Sequence, residues 1–149
     1  MLRHLWWLVM VLGLFSACSI EKRDIRYGTE ACEFCKMIIV NQQFATELVT
    51  KKGKVHVYDS IECLLNDRSH RGWDDVALIY VSDYTSPGTL IAAESSFFLQ
   101  SENIPSPMGE NLSAFPQEEP ARRMQTEKGG TLYHWPELIQ KYESTPAAN

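Results

Sequence analysis

Cys32, Cys35 and Met37 fall within the six-residue run CEFCKM, which crowds two thiols and a thioether into one short segment. Soft sulfur donors of this kind select Cu(I) over hard cations, so copper handling is the first chemistry the chain suggests. The β-branched continuation through Val40 reads as a strand, and residues two apart in a strand share a face. Cys35 and Met37 are therefore expected to point at one ion. Met108 offers a third soft donor. Pro107 and Gly109 bracket it in a turn, where a side chain can be presented to a facing site; the alternative is a gap-filling methionine folded back into the core.

Around this set stand weaker candidates. Asp59 and His56 flank Val57-Tyr58 and could supply a harder ligand or a hydrogen bond that orients one. His56 alternates with Val55 and Val57, so its plain reading is a strand residue on the solvent face. Cys63 reads as copper or redox thiol, or as a small buried hydrophobe on a short helix. His70 and His134 have no sulfur neighbour in sequence and read as surface or half-buried histidines.

Two other chemistries compete. The spacing of Cys32 and Cys35 suits a thiol–disulfide oxidoreductase, but there the attacking cysteine sits at a helix amino terminus, which lowers its pKa. The continuation MIIV is strand-like instead. A structural zinc site of Cys32, Cys35, Cys63 and a histidine fits the Cys-x-x-Cys spacing. It leaves Met37 and Met108 unexplained.

Residues 1–17 set the compartment. Arg3 and His4 precede an apolar run from Leu5 to Phe15, and Ser16-Ala17 stand before Cys18. That is the layout of a signal peptide, and the run falls short of the ~20 residues a spanning helix needs. Phe15-Ser16-Ala17-Cys18 also resembles a bacterial lipobox, whose cysteine is acylated, so Cys18 is expected to be a lipid anchor in an extracytoplasmic, membrane-anchored protein. The alternative is an ordinary secretory signal ending near a chance cysteine. Of four cysteines, three then remain, an odd set in an exported chain. One thiol must stay unpaired or bind something.

Removal of residues 1–17 leaves 132 residues, enough for one domain with a modest core. It also leaves 13 Lys and Arg against 19 Asp and Glu, a net charge of −6. An acidic surface without a basic stripe argues against nucleic-acid binding. Residues 18–30 lack an apolar period and read as anchor and flexible tether, residues 31–142 as the copper-binding domain, and residues 143–149 as a tail. Within the domain, strand signals fall at 37–40, 44–50, 55–58, 76–82 and 89–92, with the Lys52-Gly53-Lys54 turn closing a hairpin. Helices are expected at 60–66, capped by Asp59 or Ser60, at 94–99 with Phe97 and Phe98 turned inward, and at 116–124 and 136–142, each opened by a proline. This mixture predicts a small α+β domain.

Cys35-Lys36-Met37, Tyr58-Asp59-Ser60-Ile61-Glu62-Cys63, Ile79-Tyr80-Val81, Ser106-Pro107-Met108-Gly109 with Ala114-Phe115, and Gly129-Gly130 follow one another in an order that resembles the NosL family. These are lipoprotein accessory factors of nitrous oxide reductase. The resemblance runs from about Ala31 to Leu138. It implies a periplasmic chaperone that binds Cu(I) and delivers it for assembly of the reductase copper centre through an ABC-type maturation complex. It also implies binding positions at Cys35, Met37 and Met108, with Cys32 outside the pattern common to all members. The implied fold is similar to a domain of organomercurial lyase. That similarity alone suggests a mercurial-cleaving enzyme, which a lipid anchor suits badly.

Overall fold

A computed structural model describes residues 20–144. Residues 1–19, which include the expected signal peptide and Cys18, and residues 145–149 lie outside the described residues. Two antiparallel sheets and three helices make up the fold among them, an α+β arrangement as expected.

The first sheet has the order β2-β1-β3-β4, from strands β1 (Thr46–Thr50), β2 (Val55–Tyr58), β3 (Val76–Ser82) and β4 (Leu90–Ala92). β1 lies between β2 and β3 and is buried along its whole length. The Lys52-Gly53-Lys54 turn closes the β1–β2 hairpin, with Gly53 at φ 76°. The second sheet runs β6-β5-β7, from β5 (Phe97–Gln100), β6 (Leu112–Phe115) and β7 (Thr131–His134). A single parallel bridge, Asp83 to Ala114, joins the two sheets.

The expected helix at 94–99 is a strand. Ala93–Ser95 make one 3-10 turn, and the chain then extends into β5. Period-two burial is the reason: Phe98 enters the main core while Phe97 and Leu99 face a second, smaller cluster with Phe44, Ile104, Phe115 and Ala121. β6 and β7, where no strand was expected, supply the two edges that pair with it. Gly130 permits the entry to β7, because a Cβ there would stand 2.2 Å from the Gln100 carbonyl oxygen.

Helix α1 spans Ile61–Arg71, longer than the 60–66 expected, and Ser60 caps it by accepting from the Cys63 amide at 3.3 Å. Helices α2 (Glu118–Lys128) and α3 (Trp135–Ser144) follow close to the expected positions; Pro136 opens α3 as expected, but Pro116 lies before the Gln117 cap of α2, whose first turn holds Pro120 instead. The main core joins α1 (Ile61, Leu64, Leu65) to Leu48, Phe98, Trp135 and Leu138.

Two expectations near the amino end do not hold. Residues 37–40 form no strand; Ile38 makes only an isolated bridge to Ala31. The segment taken as tether is fastened from Lys22 onward. Lys22 Nζ donates to the Leu90 carbonyl at 3.0 Å, the Arg23 amide donates to Glu47 at 3.0 Å, and Ile25 is buried in the main core. Glu30 locks the strap, accepting from both Arg23 guanidinium nitrogens and from the Arg26 amide at 2.7 to 2.9 Å.

Candidate metal centre

The Cys-x-x-Cys segment is a tight turn held at its base. The Cys32 amide donates to the Met37 carbonyl at 2.8 Å, and the Lys36 amide donates to the Cys32 carbonyl at 3.1 Å. Lys36 takes φ 64°, the left-handed region, and so breaks the alternation that would have put Cys35 and Met37 on one strand face. The Glu33 amide donates to the Val57 carbonyl at 2.8 Å and seats the turn against β2.

Opposite the turn, the first turn of α1 supplies Cys63. The sulfurs of Cys32, Cys35 and Cys63 all lie within 4.8 Å of one another, and all three cysteines are free. Cys32 and Cys63 are each 1 % exposed, while Cys35 is half-buried. A metal at ~2.3 Å from each sulfur would space them by roughly 4 Å, so small side-chain rotations close the set around one ion.

Proton sharing within the cluster is uneven. Cys32 is held well below the usual thiol range, chiefly by the Cys63 S–H that donates to it; burial opposes this, and the amides of Asp59, Cys35 and Phe34 add to it. Cys63 is pushed up by that same hydrogen bond and by burial. Burial also raises Cys35, whose sulfur accepts from the Met37 amide. The cluster thus favours negative charge on Cys32 over its two neighbours.

Residues 26–142 match the family profile of NosL. The chain belongs to the NosL family. Among solved structures it is similar to the crystal structure of the copper chaperone NosL from Shewanella denitrificans, with 24 % identity and a TM-score of 0.72 over 83 % of this chain and 98 % of that one. The likeness is one of fold. No curated protein matches the chain.

Within this NosL-family domain the expected site residues separate into groups. Cys32 and Cys35 come together as the sequence suggested, and Cys63, a secondary candidate, completes the cluster. Met37 and Met108 are among the exposed large apolar side chains, at 48 % and 40 %, so neither is a core gap-filler. Asp59 joins through its backbone, and its buried carboxyl is pushed up by desolvation and by the nearby Cys32. His56 is not on the solvent face. It is buried, with Nδ1 3.6 Å from Glu33 Oε2. His70 and His134 lie outside the cluster; His134 instead packs its ring 5.0 Å from Phe97. The histidine required for a zinc set is absent from the cluster among the described residues.

Sequence reasoning missed the amide cradle under Cys32. Its signal was present in the spacing, since a turn closed by Cys-x-x-Cys directs successive N–H groups at the first sulfur, but the strand reading of MIIV hid it.

Proposed function

We propose that this protein is a Cu(I) carrier that takes copper on Cys32, Cys35 and Cys63, assisted by the thioethers of Met37 and Met108. The observation that carries the reading is the convergence of three free thiols on one point from two separate segments. Such a set suits a soft monovalent cation as cargo. The Cys32 thiolate meets the incoming ion, and the other two thiols give up their protons as they bind. Hydrogen bonds to sulfur make the thiolates weaker donors, which favours release. Phe34, Ile38 and Val40, exposed beside Met37, place apolar surface next to the point of exchange. A sulfur ligand from an acceptor can enter on that side.

The amino-terminal pattern and the family support the reading of compartment and destination. The chain is exported, acylated at Cys18 and held on the periplasmic side of a membrane, and it supplies copper for the nitrous oxide reductase centre through an ABC-type maturation complex. No helix among the described residues is long and apolar enough to cross a membrane.

Anaerobic titration of the reduced protein with Cu(I) against a chromogenic chelator, repeated with zinc, tests the metal reading. One tight copper equivalent that zinc does not displace is expected. Serine at Cys32, Cys35 or Cys63 should weaken it by ~100-fold or more, and Met108→Ala by ~10-fold. Tight zinc with weak copper would make the cluster a structural zinc site instead. Mass spectrometry of the membrane-extracted chain should find acyl mass at Cys18, and Cys18→Ala should release the protein from the membrane.

A further inference from the structure

The turn that carries Met108 is fastened by oxygen and nitrogen groups that suit hard cations rather than Cu(I). The Gly109 amide donates to the Ser106 carbonyl at 3.1 Å, closing a four-residue turn with Met108 at its third position. The Ser106 hydroxyl donates to Glu62, whose side chain is wholly buried, and the Asn111 amide donates to the Ser106 oxygen at 2.9 Å. Two residues beyond Met108, the Glu110 carboxylate accepts from Asn66 Nδ2 at 3.2 Å and from the Tyr142 hydroxyl, which joins α1 and α3 to the turn.

The spacing along α1 gives this arrangement its meaning. Glu62 directly precedes Cys63, and Asn66 lies three residues after it, so the turn is tied to the helix on both sides of the thiol. A buried carboxylate is a costly way to hold a loop when an apolar contact would serve. Hydrogen bonds, unlike apolar contacts, fix register. A thioether on a pinned turn also loses little conformational freedom when it coordinates.

We infer that Glu62 and Glu110 are positioning residues, a latch across α1 that sets the Met108 thioether against the thiol cluster. The inference rests on the reading of Met108 as a copper ligand. It assigns to these two acids the share of copper affinity that the Met108 thioether adds to the site.

A double-mutant cycle between Glu110→Ala and Met108→Ala tests it on the full chain, with Cu(I) affinity by chelator competition and methyl-13C methionine spectra as readouts. In the unaltered protein the Met108 methyl signal, assigned by its loss in Met108→Ala, should shift on copper loading. Glu110→Ala should abolish that shift and weaken Cu(I) by up to ~10-fold, with no further loss when Met108 is already alanine. Zinc affinity should not change, and Glu110→Gln, whose amide oxygen can still accept from Asn66 while its NH2 donates to the Tyr142 hydroxyl oxygen, should restore the shift. Tyr142→Phe removes one donor with little change in packing and carries the same expectation, so a poorly folded Glu110→Ala leaves the test standing. A Met108 methyl that still shifts in both latch variants would overturn the inference, as would an equal loss with and without Met108. If Met108→Ala alone leaves copper affinity unchanged, the ligand reading itself falls and the latch with it.

Discussion

Thiols held above their ordinary pKa would make the proposed metal uptake a proton-releasing reaction. Cys63 and Cys35 are both held above the ordinary thiol value, so they are protonated at neutral pH and must lose those protons to bind. Protons and metal then compete for the same sulfurs, and apparent Cu(I) affinity should rise with pH from 6 to 9 and fall on acidification. The expected slope is ~1 to 2 log units per pH unit, and a weakly buffered titration with an indicator dye should register the protons released. Cys63→Ser should remove about one of them. A pH-independent affinity would mean that the buried thiols do not take part. At this scale the sequence was informative about atom type and less so about direction. CEFCKM announced soft donors, yet the left-handed Lys36 turned the segment into a cradle that no alternating pattern reveals.

Elements were legible where local pattern and tertiary burial agree. β1, β2, β3 and the Ser60-capped helix stood out because alternation, turn residues and a side-chain cap all pointed the same way. β5 did not, since FFLQ is apolar at successive positions and buries both faces in different clusters. β6 and β7 were hidden for another reason: each is four residues long and gains its regularity only by pairing with β5. Their junction makes a sharp prediction. Gly130 sits at φ 104° with no room for a methyl group, so Gly130→Ala should destabilise the fold by about 2 kcal/mol or more, read as a lower urea midpoint with unchanged slope. Gly28→Ala, which also has positive φ but open space around it, should cost less.

For the whole molecule, the strap from Lys22 to Glu30 decides where the domain begins. The Arg23 hydrogen bond pulls the Glu30 carboxyl down to about 2, and the Arg26 amide and guanidinium assist. A carboxyl depressed in the folded state contributes stability that is present above its unfolded value of ~4.3 and lost as pH falls toward the folded value. The strap should therefore loosen between about pH 4 and 2. Because its arginines are largely exposed, the contribution is about 1 kcal/mol and shrinks with salt. Glu30→Ala should lower thermal stability modestly at pH 7 and show no further loss from this group at pH 3. Composition and polarity alone read this stretch as tether, because Ile25 and Tyr27 are too few to make a period; only their docking shows that they belong to the domain.

Under the proposed lipid anchor, that docking would limit how far the domain can travel. If Cys18 carries the acyl chain proposed above, only Ser19, Ile20 and Glu21 lie between it and the fastened Lys22, and the four residue steps at ~3.6 Å each reach at most about 14 Å. A carrier so anchored would patrol a thin sheet of space above the lipid and not the volume of the compartment. Meetings with an acceptor in the same membrane become a search in two dimensions, with the local concentration that confinement brings. An acceptor whose entry point stands far above the bilayer would stay out of reach.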